Sequence, residues 1–251
     1  MNNIETILSQ FNPVSLEEID EVKLMSRIDR KYWFHISKLQ EILEYTLPHY
    51  DILEINGQRL MEYQTRYYET PQNKMYLMHH NRKLNRNKIR RRNYVSTDSS
   101  FLEIKFKTNK KRTIKKRIET QFGALGFNEK ELDFIENNSM FKGQDLIPGL
   151  NNKFNRLTLI HKNKLDRCTI DISPKFWNDK GDISFDNLVI FELKRGKNLK
   201  SSPIVNLLRK LKIRQRGLSK YCTGRAFLDE NLKQNAFKPR LRFITKKILN
   251  K

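Results

Sequence analysis

Lys88-Ile89-Arg90-Arg91-Arg92-Asn93-Tyr94 is the stretch whose reading fixes the fold. Successive side chains of extended chain point to opposite faces, so a period of two puts Lys88, Arg90 and Arg92 on one side of a strand. Phe101-Leu102-Glu103-Ile104-Lys105-Phe106-Lys107 repeats the device, with Glu103, Lys105 and Lys107 opposite Leu102, Ile104 and Phe106. Thr113-Ile114-Lys115-Lys116-Arg117-Ile118 sets Lys115 and Arg117 against Ile114, Lys116 and Ile118. Arg167 to Ile172 sets Arg167, Thr169 and Asp171 against Cys168, Ile170 and Ile172. Val189 to Lys194 sets Glu192 and Lys194 against Val189, Phe191 and Leu193. Five segments with one charged and one mostly apolar face make the chain sheet-rich.

Each strand alone also fits an ordinary antiparallel sheet whose polar face meets water. Taken together the charged faces are mostly Lys and Arg, and like charges on neighbouring strands destabilise a sheet. Two cations about 7 Å apart repel by about 2 kcal/mol at an effective dielectric near 20, before salt screening. Many of them on one concave surface call for a bound anion. The expected fold is therefore α+β: an antiparallel β-barrel with a basic tunnel inside, its apolar outer faces covered by flanking helices.

The composition agrees. In 251 residues, 50 Lys and Arg face 28 Asp and Glu, a formal charge of +22, while 37% hydrophobic residues are too many for a disordered polycation. Arg82 to Arg117 alone holds 15 basic residues and two acids, Asp98 and Glu103. No apolar run is long enough to span a membrane, and the segment Met1 to Gln10 does not read as a signal peptide. Cys168 and Cys222 make neither a disulfide framework nor a zinc site, so a reducing, cytoplasmic setting is expected. Helices are expected over Asn12 to Arg30, from a Ser37 capping box to Pro48, over Asn128 to Phe141, from Pro203 to Leu211 and over Ser219 to Leu232. Asn56-Gly57 signals a hairpin between strands at Tyr50 to Ile55 and Leu60 to Tyr68. One domain, residues 1–237, with a basic tail at 238–251, is the expected organisation.

The inward set would be Lys31, Lys88, Arg90, Arg92, Lys105, Lys115, Arg117, Arg156, Arg167, Lys194 and Lys220, with Glu103, Asp171 and Glu192. Guanidiniums capture phosphates bidentately and ammonium groups act as point charges. Carboxylates would repel a simple anion, but they suit a divalent ion shared with phosphate oxygens. A metal and basic residues around a triphosphate supply what phosphoryl transfer needs. No Walker A sequence is present.

Six short motifs occur in an order that resembles the VTC domain, the polyphosphate polymerase domain of the vacuolar transporter chaperone complex in the triphosphate tunnel metalloenzyme superfamily. They are Arg30-Lys31-Tyr32-Trp33, Tyr67-Tyr68-Glu69-Thr70-Pro71, Asn87 to Arg92, Leu102-Glu103-Ile104-Lys105, Phe191-Glu192-Leu193-Lys194 and Ser219-Lys220-Tyr221. The resemblance runs from about Arg27 to Leu232. It implies a tunnel that transfers the γ-phosphate of ATP to inorganic polyphosphate with Mn2+ or Mg2+. Carried over, Arg90, Arg92, Lys31, Lys105, Lys115, Arg156, Arg167 and Lys220 look like phosphate ligands. Ser219 adds a hydroxyl, and the inward Lys88, Arg117 and Lys194 extend the track. Arg90, Arg92, Lys105, Lys220 and Glu192 form the catalytic set, with Glu192 and Glu103 toward metal. Phe154 stands where the family usually has Tyr, and Glu69 where it has Asp. ATP and polyphosphate are the expected ligands, a membrane-protein partner is implied by the family, and nucleic acid is disfavoured.

Rivals remain at this level. Glu103-x-Lys105 and Glu192-x-Lys194 match the Glu-x-Lys pair of metal-dependent nucleases, and basic strands with Tyr94 and Phe106 could stack bases. Within the tunnel class a triphosphatase, an adenylate cyclase or an inactive polyphosphate sensor is open. His79-His80 reads as two surface histidines on a strand, Cys168, Trp33 and Trp177 as packing residues, and the tail as a docked helix or a lipid contact.

Overall fold

The alternation of charged and apolar residues builds one large sheet. A computed structural model describes residues 2–21, 27–110, 112–196 and 202–249. Its helices are α1 (Asn2–Ser9), α2 (Leu16–Glu21), α3 (Leu39–Thr46), α4 (Lys74–His80), α5 (Glu129–Asn138), α6 (Pro203–Lys210), α7 (Lys220–Leu228) and α8 (Lys238–Lys247). Its strands are β1 (Pro13–Val14), β2 (Arg27–His35), β3 (Tyr50–Leu53), β4 (Met61–Glu69), β5 (Arg86–Tyr94), β6 (Ser99–Lys107), β7 (Thr113–Thr120), β8 (Ile147–His161), β9 (Asp166–Asn178), β10 (Gly181–Ser184) and β11 (Leu188–Gly196). The main path runs β2-β11-β9-β8-β4-β5-β6-β7 and is antiparallel throughout, while β1 pairs parallel with β3 at its side.

The sheet curls without closing, because β2 and β7 are not paired among the described residues. The free edge of β2 is occupied instead by the segment before α7, where Gln215 bridges Tyr32 and the Arg216 amide donates to the Lys31 carbonyl at 2.9 Å. Covering the middle of this edge leaves less unpaired backbone to recruit another chain.

The outer faces are the apolar ones. Val189, Phe191, Leu193, Cys168 and Ile170 pack with Leu39, Ile42 and Leu43 of α3 and Ile204 and Leu208 of α6. Ile89, Leu102 and Ile104 pack with Ile135 of α5. Arg91, the middle arginine of the opening stretch, follows the same parity and turns outward. Its Nη2 donates to Glu131 at 2.6 Å and to the Gly126 carbonyl at 2.8 Å, tying α5 to the sheet. The inner face is apolar under α7 and α8, where Trp33, Tyr67, Leu150 and Ile190 meet Tyr221, Ala226, Ile244 and Ile248, and again where Ile19, Leu53, Tyr63 and Phe154 cluster. The two helices thus lie against one end of the concave face.

Four local expectations are corrected. The helix expected over Asn12 to Arg30 is a short α2, capped reciprocally by Ser15 and Glu18, and the chain is already extended at Arg27; Val22 and Met25 lie outside the described residues. Ser37 does not cap α3: its amide donates to His35 Nδ1 within a 3-10 turn, and Lys38 precedes α3 without a side-chain cap. Asn56-Gly57 does turn, with φ of 50° and 73°, but only Ile55 and Gln58 bridge, and β3 and β4 each pair with β8. His79 and His80 belong to α4, so neither sits on a strand. The basic tail forms α8, whose Ile244 is buried on the domain.

Candidate functional site

A cavity of about 800 Å³ opens inside the curled sheet. Every strand of the main path contributes a lining side chain, and so do the start of α7 and Arg240 of α8. Twelve Lys or Arg line it against three carboxylates, Asp29, Asp171 and Glu192. All the residues read from the sequence as phosphate ligands are among the lining: Lys31, Lys88, Arg90, Arg92, Lys105, Lys115, Arg117, Arg156, Arg167, Lys194, Ser219 and Lys220. Glu103 lies directly behind them, with no side-chain exposure.

Three carboxylates organise these cations. Glu103 receives Arg90 Nε at 2.6 Å and pairs with Lys115 through its other oxygen. Asp171 receives Arg156 Nε at 2.5 Å and Nη2 at 2.9 Å, a bidentate pair, and also pairs with Lys220. Glu192 pairs with Lys31 through Oε1, while its Oε2 lies 4.0 Å from Lys194. Asp171 is read from the sequence only as an inward carboxylate; its pairing with Arg156 follows from the register of β8 and β9. Burial alone would raise these carboxyl pKa values. Arg90 and Arg92 overcome it at Glu103, Arg156 and Lys220 at Asp171, and both groups stay ionised. At Glu192, Lys31 and Lys194 overcome burial and hold the carboxyl at about 2.

The cations respond oppositely. Arg90, seconded by burial and then Arg92, brings Lys105 down to about 5, so at neutral pH its amine is largely uncharged. Burial brings Lys194 and Lys220 to about 8, against the pull of their carboxylates. Arg92 has no carboxylate partner among the described residues. Its Nε donates to Thr65 at 3.3 Å and its guanidinium lies over Tyr63 and Phe154. Arg117 and Lys115 stand on the edge strand β7 and remain exposed.

A polyanion would restore charge to Lys105, so binding takes up a proton. Affinity is then greatest at low pH and falls as pH rises above about 5 toward the amine's value in the complex. Calorimetry at pH 7 in buffers of unlike ionisation enthalpy should record tripolyphosphate binding with roughly one more proton taken up than by Lys105→Met. Equal uptake by both proteins would contradict this reading of Lys105.

The two departures from the motif pattern serve positioning. Phe154 stacks on Tyr63 with centroids 5.4 Å apart and lies 4.0 Å beneath the Lys220 ammonium, so it supports a cation rather than donating a bond. Glu69 is buried and accepts the amides of Thr70, Met75 and Tyr76 at 2.8–2.9 Å, together with the Tyr221 hydroxyl. One carboxylate thereby satisfies the open N-terminus of α4 and anchors the helix that carries Lys220. At the other end of that turn, Ser219 accepts the Cys222 amide at 3.3 Å and Lys88 Nζ at 2.8 Å.

Gly224 brings α7 down onto the sheet. A Cβ there would lie 2.6 Å from Phe176 Cδ1 and 2.8 Å from Leu150 Cδ2. Gly224→Ala should therefore push α7 outward at a cost of about 1–3 kcal/mol, lowering Tm by several degrees and loosening Ser219 and Lys220. An unchanged Tm on thermal denaturation would refute so close a contact.

Among the described residues, no three His, Cys, Asp or Glu side chains group to hold a metal ion. An all-protein metal site is thus absent from them. A divalent ion completing its shell with phosphate oxygens needs only one or two carboxylates. Glu192 fits that part best, with a side chain 18% exposed against 4% for Asp171 and 0% for Glu103. Glu103, also read as a metal residue, has one oxygen on Arg90 and the other on Lys115. His79 and Arg240 line the cavity as well and were not foreseen as site residues.

The site is thus an antiparallel sheet curled around a cavity lined by Lys and Arg, with carboxylates spaced among them. The chain belongs to the VTC domain family, whose profile matches residues 26–229. No curated protein matches it. Similar solved structures include a candidate adenylate cyclase from Vibrio parahaemolyticus, at 11% identity and TM-score 0.47, covering 78% of this chain and 95% of that one. A candidate adenylate cyclase from Bacillus halodurans matches at 10% identity and TM-score 0.49, covering 78% and 94%. A candidate adenylyl cyclase from Hippeastrum, described as having a dominant triphosphatase activity, matches at 13% identity and TM-score 0.48, covering 80% and 96%. No helix among the described residues is long and apolar enough to cross a membrane.

Proposed function

We propose that the chain is a polyphosphate polymerase that moves the γ-phosphoryl group of ATP onto the end of an inorganic polyphosphate chain. What supports this most is one cavity in which twelve Lys and Arg side chains converge around carboxylates, within a VTC domain. A polyphosphate carries about one negative charge per phosphate, and a track of guanidiniums and ammoniums can offset successive units. In the transfer, the bond between γ-phosphorus and the β,γ-bridging oxygen breaks, and ADP departs with its electron pair. An oxygen of the chain's terminal phosphate forms the new bond to phosphorus.

Arg90 and Arg92, on alternate positions of β5, would hold the transferring group and neighbouring oxygens by paired N–H donors. Lys105 and Lys220 would add point charges that oppose the negative charge spread over the equatorial oxygens. Glu103 and Asp171 fix Arg90, Arg156 and Lys220 before any ligand arrives, so little reorganisation is required. Glu192, with oxygens of the bound phosphates, would hold Mn2+ or Mg2+, which supplies charge neutralisation at the β,γ-phosphates. Action at the cytoplasmic face of a membrane, beside a membrane-protein partner that receives the product, is the setting this reading implies.

Incubation of the purified chain with ATP and Mn2+, followed by 31P NMR and gels stained for polyphosphate, tests the reading. Long product sensitive to exopolyphosphatase is the expected outcome. Release of orthophosphate without chain growth would replace the polymerase by a triphosphatase. Tight polyphosphate binding without turnover would leave a sensor.

A further inference from the structure

Over much of the cavity, cations are interleaved with Glu103, Asp171 and Glu192. The end beside α4, α7 and α8 differs. His79, Lys88 and Arg240 line it together. Lys88 donates to Ser219 at 2.8 Å, and none of Lys88, Arg86 and Arg240 forms an ion pair with a described carboxylate. His79 Nδ1 is buried and accepts no hydrogen bond among the described residues. Burial, followed by Lys88 and Arg86 of β5, Arg240 of α8 and the adjacent His80, pushes this imidazole down to about 2, so it stays neutral amid like charges.

These groups are held in place. Phe237 packs near both His79 and Arg240, its ring centroid 6.1 Å from the His79 ring and 5.9 Å from the Arg240 guanidinium. The helix α8 is anchored by buried Ile244 and by Phe243, edge-on to Trp33 at 4.9 Å. Like charges fixed together without a counterion lower the stability of the empty protein and reward an anion that enters.

We propose that Arg240, His79 and Lys88 form a further phosphate subsite, which takes a unit of polyphosphate beyond those gripped around Arg90 and Arg92. The proposal rests on the polyphosphate reading and deepens it, by tying affinity to chain length. Residues 238–247 lie outside the stretch matched to the family, so the C-terminal helix would bring its own contact to the tunnel. The Arg240 fork can take two phosphate oxygens and Lys88 a third, while a phosphate beside His79 favours the imidazolium and adds an N–H donor.

Titration calorimetry of the full chain with tripolyphosphate and with a long polyphosphate of defined length tests this. Arg240→Gln should lower long-chain affinity about tenfold, as expected for one charged contact, and change tripolyphosphate affinity by less than about twofold. His79→Asn, on a different helix, should act in the same direction, which guards against a fault in α8 alone. Unchanged long-chain affinity in both variants would overturn the subsite. Equal losses for both ligands would place Arg240 in the main grip and overturn it too. A wild-type chain that binds neither ligand would remove the polyphosphate reading itself, a failure distinct from the other two.

Discussion

Glu192→Gln should lose metal-dependent turnover by about a hundredfold or more while keeping its fold. The expectation comes from position. Glu192 is the most exposed of Glu103, Asp171 and Glu192, and its Oε2 lies 4.0 Å from Lys194, without a close partner. The substitution removes a charged oxygen donor for the ion and leaves the amide able to accept from Lys31. Lys31 is itself one-third exposed, so little buried charge is stranded. Circular dichroism and Tm should match the parent protein, and added Mn2+ should no longer stimulate phosphoryl transfer. Near-normal turnover with ordinary metal dependence would exclude Glu192 from the reaction.

Glu103→Gln should fail in a different way. Its carboxylate is wholly buried between Arg90 and Lys115, and Arg90 is itself only 7% exposed. Breaking a buried ion pair from one side strands the other charge, at a cost of about 3–5 kcal/mol. For a chain of this size that corresponds to a fall in Tm of about 10 °C. A polyanion would supply the missing charge, so tripolyphosphate should raise Tm more in the variant than in the parent. A Tm within a degree of the parent, with no larger gain from ligand, would show that Glu103 does not hold the arginine.

Most of the cavity was legible because strand parity is a strict rule. Once Lys88, Arg90 and Arg92 share a face, Arg91 must turn away, and it does so to reach Glu131. The same rule collects Lys105, Arg167 and Lys194 from strands far apart in sequence. What it could not supply was the partner of each cation, since neighbouring strands are set by topology and register. Asp171 faces Arg156 only because β8 and β9 pair in that register. His79 was misread for a related reason: its segment is short, and Glu69 accepts the Met75 and Tyr76 amides at the start of the helix. Nor does a one-dimensional pattern disclose that α8 turns back to set Arg240 at the cavity. The expected barrel was right in its faces and its antiparallel order, yet strand pairing does not close it. Closure would need β2 and β7 to pair, whereas residues 215 and 216 take up the β2 edge.

The central claim is that nucleotide and polyphosphate use one phosphate track through the cavity. Parallel calorimetric titrations of ATP and long polyphosphate into the parent protein and Arg90→Ala test it most directly. Arg90 lines the cavity beside Arg92 and Lys105, so its loss should weaken both ligands together by roughly tenfold or more. Normal affinity for both ligands in a folded Arg90→Ala protein would contradict the track.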